Sequence, residues 1–279
     1  MTVCSATIAI IAGAGSFPRF AAQAAKKQGN RVVIVGLKGW ADPALASQAD
    51  AYEEVAVGEI SRLLKALKTH GVSQAILAGK VTKKVLLDPA VAFDIEAVKL
   101  LAQAKDRSVP ALLKAISQRL AADGITLLDS SVFLKEHLAP AGILTTRKPS
   151  QKEQEDVQVG VSVTTALADL DVGQTVVVKD RVVIAVEALE GTDEAIKRAH
   201  ALAGEGLVVV KTAAPGHDRR LDLPVVGADT LAVLKACGVT CLAVEEGMTL
   251  LLDRETVVSQ ANAAKICILG IPAAASKSS

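Results

Sequence analysis

The sequence predicts an α/β protein of two domains: an N-terminal Rossmann-like parallel sheet with helices over residues 1–145, and a C-terminal mixed α/β domain over 146–279. Three observations carry this expectation. At 279 residues the chain exceeds what one small core organises. Hydrophobic residues make up 51% of it and aromatics only 2%, so the core must be built from Ala, Val, Leu and Ile. These residues fall in short continuous apolar runs that alternate with segments of helical period, the pattern of strands buried on both faces under helices.

The first run, 7–12, is a buried strand, and 19–28 is a helix closed by Gly29. The apolar start is not a signal-peptide core, because no basic residue precedes it and Gly13, Gly15 and Pro18 break it. A second strand follows at 31–35, an amphipathic helix at 59–69 stopped by His70 and Gly71, and a third strand at 74–78. Helices at 93–104 and 110–122 and a short strand at 125–128 complete the first domain. From 140 to 152 the apolar period gives way to Pro, Gly, Thr, Ser and charge, which reads as an exposed connection and places the boundary near Thr145. Beyond it come a helix at 153–170, a hairpin of 174–178 with 182–186, a helix at 191–200 with an acidic first turn, and a strand at 207–210. A long polar stretch, 211–226, interrupts the pattern, and loops of that length often carry function. Helices at 229–237 and 254–264 then alternate with strands at 241–244, 249–252 and 266–269.

Composition excludes several functions. The formal charge is +1 with both signs dispersed, so no basic face for nucleic acid is expected. Cys4, Cys237, Cys241 and Cys267 form no CxxC pair, which argues against a disulfide framework or a structural zinc site and fits a reducing cytoplasm. No apolar run reaches the roughly 18 residues of a membrane span.

Two glycine corners stand out in the first domain. Gly13-Ala14-Gly15-Ser16-Phe17-Pro18 lies between strand and helix, where backbone N–H groups receive anions, and Gly79-Lys80 follows the third strand. Either is a phosphate or sugar site, or simply a tight turn and a solvated lysine. A dinucleotide fingerprint is disfavoured, since Pro18 stands at the third glycine and no acid follows the second strand. The second domain holds three acidic segments at strand ends: Glu187 to Asp193, Asp218 to Asp222, and Glu245-Glu246 with Asp253. Carboxylates on adjoining loops suit a hard cation such as Mg²⁺, and Arg219 or Arg220 offers a planar fork for phosphate. Taken singly, each acid is also readable as a cap or a solvated charge. Asp222 is harder to dismiss, between Leu221 and Leu223-Pro224, and it ranks above His217 as a candidate.

These motifs resemble the UDP-2,3-diacylglucosamine pyrophosphatase family of some Gram-negative bacteria, the type distinct from the metallophosphoesterases of that step. The resemblance rests on Ile11-Ala12-Gly13-Ala14-Gly15, Leu77-Ala78-Gly79-Lys80-Val81, Glu190-Gly191-Thr192-Asp193, Arg220-Leu221-Asp222-Leu223-Pro224 and Leu252-Asp253-Arg254-Glu255, and it spans both domains. Where the family often has Lys-Pro-x-Gln-Asp, this chain has Ala214-Pro215-Gly216-His217-Asp218. The resemblance implies hydrolysis of UDP-2,3-diacylglucosamine to UMP and lipid X, with Mg²⁺ or Mn²⁺, by a homodimer. It further implies a cytoplasmic enzyme working at the inner face of the inner membrane, with substrate held between the domains. The expected site is Asp222 and Asp218 as catalytic residues; Asp222, Glu187, Asp193 and Glu245 toward metal; and Gly13, Gly15, Lys80, Arg220 and Thr192 toward substrate. The acyl chains need an apolar groove, for which Val85-Leu86-Leu87 is one candidate. Competing readings are a non-enzymatic sugar-nucleotide or lipid sensor and, on the glycine loop alone, a sugar-nucleotide oxidoreductase.

Overall fold

The computed structural model describes residues 6–82, 85, 88–104, 109–170, 172–213, 218–220 and 223–272. The chain forms two compact units, one of Met1–Lys135 with Asp218–Asp222 and one of Glu136–His217 with Leu223–Ser279.

The first unit is a parallel sheet with helices, as expected. It runs β1 (Thr7–Ala12), α1 (Phe17–Lys27), β2 (Arg31–Leu37), a 3₁₀ turn (Pro43–Gln48), β3 (Ala51–Val55), α2 (Ile60–Thr69), β4 (Gln74–Ala78), α3 (Ile95–Gln103), α4 (Val109–Ala122) and β5 (Thr126–Leu127). Among the described residues the strands order as β3-β2-β1-β4-β5, all parallel. One face of β1 and β2 turns Ala9, Ile11, Val33 and Val35 against Leu63, Leu64 and Leu67 of α2 and Leu120 of α4. The other is covered by α1 through Ala21, Ala22 and Ala25, small residues that let the helix lie close.

The second unit carries β6 (Gly142–Ile143), α5 (Gln151–Asp169), β7 (Thr175–Lys179), β8 (Val182–Val186), α6 (Thr192–Ala203), β9 (Leu207–Lys211), β10 (Val225–Val226), α7 (Ala228–Ala236), β11 (Val239–Glu245), β12 (Leu250–Leu251), α8 (Arg254–Ala263) and β13 (Cys267–Ile271). Its main sheet orders as β6-β13-β11-β9-β7-β8. Strands β9, β11 and β13 are parallel, and β6, β7 and β8 join antiparallel, so the sheet is mixed. Period-2 alternation splits the strands between two cores. Val209, Leu242, Val244 and Ile268 face α6, α7 and α8, while Val208, Val210, Cys241, Ala243 and Cys267 face α5. Gly160 lets α5 approach, since a Cβ there would strike the Val210 side chain. Cys241 and Cys267 are register partners across β11 and β13, both buried as free thiols; Cys4 lies outside the described residues.

The stretch 140–152, read from sequence as an exposed connection, is built into the second unit. β6 pairs with β13, and the buried Thr145 hydroxyl accepts from the Ile268 amide at 3.0 Å. Ser150 and Glu153 form a capping box at the start of α5, with Ser150 N donating to Glu153 Oε2 at 2.7 Å. Arg147 grips the same carboxylate bidentately at 2.7 and 2.9 Å and donates to the Thr240 and Lys265 carbonyls. Burial alone would raise the Glu153 carboxyl. Arg147, Thr240 and the Ser150 amide instead hold it down at about 2.

Candidate functional site

In the first unit the two glycine corners close on each other at the carboxyl ends of β1 and β4, the neighbours between which ligands of this topology sit. Gly13 N donates to Ala78 O at 2.8 Å, Ala14 N to Lys80 O at 2.9 Å, and Lys80 N to Ala14 O at 2.9 Å. A Cβ at Gly13 would meet Lys80 O at 2.7 Å, and one at Gly79 would meet Ala14 O at 2.7 Å, with Gly79 at φ +95. The amides of Gly13 and Ala14 are therefore spent on neighbouring backbone, and the glycines are needed for that approach. Gly15, at φ +93 with open space where a Cβ would point, leads to Ser16, which makes no side-chain cap on α1. At the end of β2, Gly36 is covered by the Tyr52 ring, where a Cβ would strike it.

Residues 218–220 also belong to the first unit. Arg219 pairs with Asp129 at 3.1 Å and donates to the Ser131 hydroxyl at 2.9 Å, while Ser130 donates through its amide and its hydroxyl to the Arg219 and Arg220 carbonyls. Arg220 grips Asp218 through Nε and Nη2 at 2.6–3.1 Å, so each of these site candidates holds the other. Asp222, Ala214 and His217 lie outside the described residues, as do Leu86 and Leu87 of the candidate acyl groove.

In the second unit, a polar cluster gathers where β9 and β11 end and β7 begins. The register sets Thr175 of β7 beside Lys211 of β9, and Val244 of β11 on the other side of Lys211. Helix α6 starts here, with Gly191 at φ +86 turning Thr192 inward. Lys211, 7% exposed, donates through Nζ to the Thr192 hydroxyl at 2.9 Å and to the Thr175 hydroxyl at 3.3 Å. The Thr192 hydroxyl in turn donates to Glu187 Oε1 at 3.0 Å. Glu245, 6% exposed, accepts from the Ala213 amide at 2.7 Å. The hydroxyls of Thr212 and Thr249 are buried without a hydrogen-bond partner among the described residues. Asp193 sits in the first turn of α6, where a negative charge favours the helix dipole.

Of the residues expected at the site, Glu187, Thr192 and Glu245 thus come to one end of the second sheet. Asp218 and Arg220 are in the first unit, as are Gly13, Gly15 and Lys80. Among the described residues no three His, Cys, Asp or Glu side chains gather as a metal cage, and no helix is long and apolar enough to cross a membrane. The donors at the second sheet are nonetheless all hard oxygens, the chemistry Mg²⁺ and Mn²⁺ prefer, and Mg²⁺ typically takes only one or two carboxylates beside waters and phosphate. Sequence reasoning missed Lys211, Thr175, Thr212 and Thr249. The available signal was a lysine terminating the run Leu-Val-Val-Val, which is buried on both faces.

Models of the LpxI N-terminal domain and the LpxI C-terminal domain match residues 7–137 and 140–269. The UDP-2,3-diacylglucosamine pyrophosphatase LpxI of Caulobacter vibrioides is 28% identical over 275 residues, 95% of this chain and 97% of that protein. Two solved structures are only faintly similar. The biotin carboxylase domain of a thermophilic 2-oxoglutarate carboxylase is 12% identical over 61% of this chain and 34% of that one, with a TM-score of 0.27. The glycinamide-RNase-transformylase T of Mycobacterium tuberculosis is 18% identical over 65% and 44%, with a TM-score of 0.25. Likeness at that level carries no argument about function.

Proposed function

We propose, for a chain that belongs to the LpxI family through both of its domains, hydrolysis of UDP-2,3-diacylglucosamine to UMP and 2,3-diacylglucosamine 1-phosphate, lipid X. The observation that carries this reading is the paired match over 7–137 and 140–269, which leaves neither domain without a family counterpart. In the reaction, a water oxygen bonds to the α-phosphorus while the bond from that phosphorus to the bridging oxygen breaks. UMP thereby gains the water oxygen, and the sugar 1-phosphate leaves with the bridging one.

Asp222 is the residue we assign to holding the metal or orienting the water, with Asp218 beside it in sequence; Glu187, Asp193 and Glu245 are the further carboxylates proposed toward the ion. Bound Mg²⁺ or Mn²⁺ would polarise a phosphoryl oxygen and acidify a bound water. Gly15, Lys80 and Thr192 stay assigned toward substrate. Gly13 and Arg220 are weaker in that role, because the one has spent its amide and the other its guanidinium within the fold. The acyl chains require contact with a lipid surface, since each exposed CH₂ costs about 0.8 kcal/mol in water. We accordingly place the enzyme, as a homodimer, at the inner face of the inner membrane.

The test is UMP release from UDP-2,3-diacylglucosamine in detergent micelles containing Mg²⁺, Mn²⁺ or EDTA, run in ¹⁸O-water. Metal-dependent release with the label in UMP is expected, and Asp222→Ala should lower turnover at least about 100-fold without loss of fold. Label in lipid X would refute attack at the α-phosphorus; full activity in EDTA would refute the metal; no UMP under any condition would leave the sensor reading in its place.

A further inference from the structure

We infer that Lys211 is a phosphate-binding cation and that the carboxyl end of β9 is an anion subsite, an inference that rests on the pyrophosphatase reading for the identity of the phosphate. An ammonium has three donors and no acceptor. Lys211 places two on the Thr175 and Thr192 hydroxyls, and no carboxylate forms an ion pair with it among the described residues. Glu187 is linked to it through the Thr192 hydroxyl. That hydroxyl is saturated: it donates to Glu187 and accepts from Lys211, with Thr175 Oγ1 at 3.3 Å as its third neighbour. Its rotor is therefore fixed, and it holds the ammonium in one position with the third donor uncommitted among the described residues.

A buried charge without a counter-ion is strongly disfavoured, and neutral hydroxyls compensate only part of the lost hydration. Such a group persists in a fold when a ligand brings the opposite charge. Phosphate does so with several oxygens, and a compact ammonium suits it as a point charge. The position agrees, because Lys211 ends a parallel strand at the edge where ligands of α/β sheets sit. The adjacent Thr212 hydroxyl, buried and without a hydrogen-bond partner among the described residues, is a second polar group at this end.

If Lys211 were only a strut between two threonines, removing its charge would weaken the fold. If it waits for an anion, removing it relieves the fold and abolishes binding. The experiment pairs Lys211→Met with Lys211→Gln, which keeps donors for the threonines, and measures thermal unfolding, calorimetric binding of inorganic pyrophosphate in EDTA, and UMP release. We expect both variants to bind pyrophosphate at least tenfold more weakly than the native chain, with Lys211→Met melting at the same or a higher temperature. The proposal is overturned if the native chain binds no pyrophosphate, if either variant binds it as well as the native chain, or if Lys211→Met melts lower while folded Lys211→Gln retains binding. Loss of pyrophosphate binding in the variants of a chain that releases no UMP keeps the subsite and removes the hydrolase reading. Unchanged kcat and KM in Lys211→Met, in a chain that does release UMP, does the reverse.

Discussion

Two charges are buried in the second unit to nearly the same depth, Glu153 at 8% exposure and Lys211 at 7%, and they differ in company. Glu153 is met by a bidentate guanidinium, an amide and a hydroxyl, and its carboxyl is held at about 2 as a result. Lys211 meets two hydroxyls and no carboxylate among the described residues. Burial alone therefore does not separate a structural charge from one kept for a ligand. The completeness of its pairing does, because a fold that has paid for desolvation recovers the cost only through counter-charge.

The comparison is sharpest where its two members respond with opposite sign. Glu153→Gln should cost about 3 kcal/mol by leaving Arg147 without its partner, whereas Lys211→Met should cost nothing; urea unfolding of both decides it. The same contrast has a pH signature. A carboxyl lowered from 4.5 to about 2 on folding contributes stability that is complete above 4.5 and is lost as pH falls toward 2. That contribution is on the order of 3 kcal/mol, and the native chain should lose it in acid while Glu153→Gln shows a flatter profile between about pH 5 and about pH 2. Parallel profiles would mean that Glu153 is not held as described.

Next in size is Gly79→Ala, which places a Cβ 2.7 Å from Ala14 O at φ +95 and should destabilise the first unit by roughly 2 kcal/mol. A stable variant that loses only ligand binding would turn that corner from packing into recognition. Thr192→Val removes the hydroxyl between Lys211 and Glu187 and should cost about 1–2 kcal/mol while raising KM more than it lowers kcat. Thr249→Val should instead stabilise by about 1 kcal/mol, because its hydroxyl is buried without a hydrogen-bond partner among the described residues. A loss there would reveal a partner for that oxygen.

The strands buried on both faces were legible from sequence, and 7–12 and 74–78 match β1 and β4 residue for residue. The edge strand β3 was not, because Ala-Tyr-Glu-Glu-Val presents two acids and only Val55 reaches full burial. The stretch 140–152 misled for a related reason. Its attachment is carried by Thr145, Arg147, Ser150 and Glu153, whose hydrogen bonds leave no apolar period to read. At the site, acids at strand ends were easy to nominate, since hard cations and phosphate chemistry call for them. Lys211 was passed over because a lysine after an apolar run is read by default as the point where the chain meets water. Only the arrival of Thr175 and Thr192 from other elements marks it as buried.

The assignment of residues 218–220 to the first unit bears on how the protein is made. Ser130 and Asp129 lie early in the chain, yet the carbonyls and guanidinium that satisfy them come after residue 217. At ordinary elongation rates the ribosome needs on the order of ten seconds to add the intervening residues. The N-terminal sheet therefore emerges with a polar seam still facing solvent, and the first unit is finished only when most of the second has been synthesised.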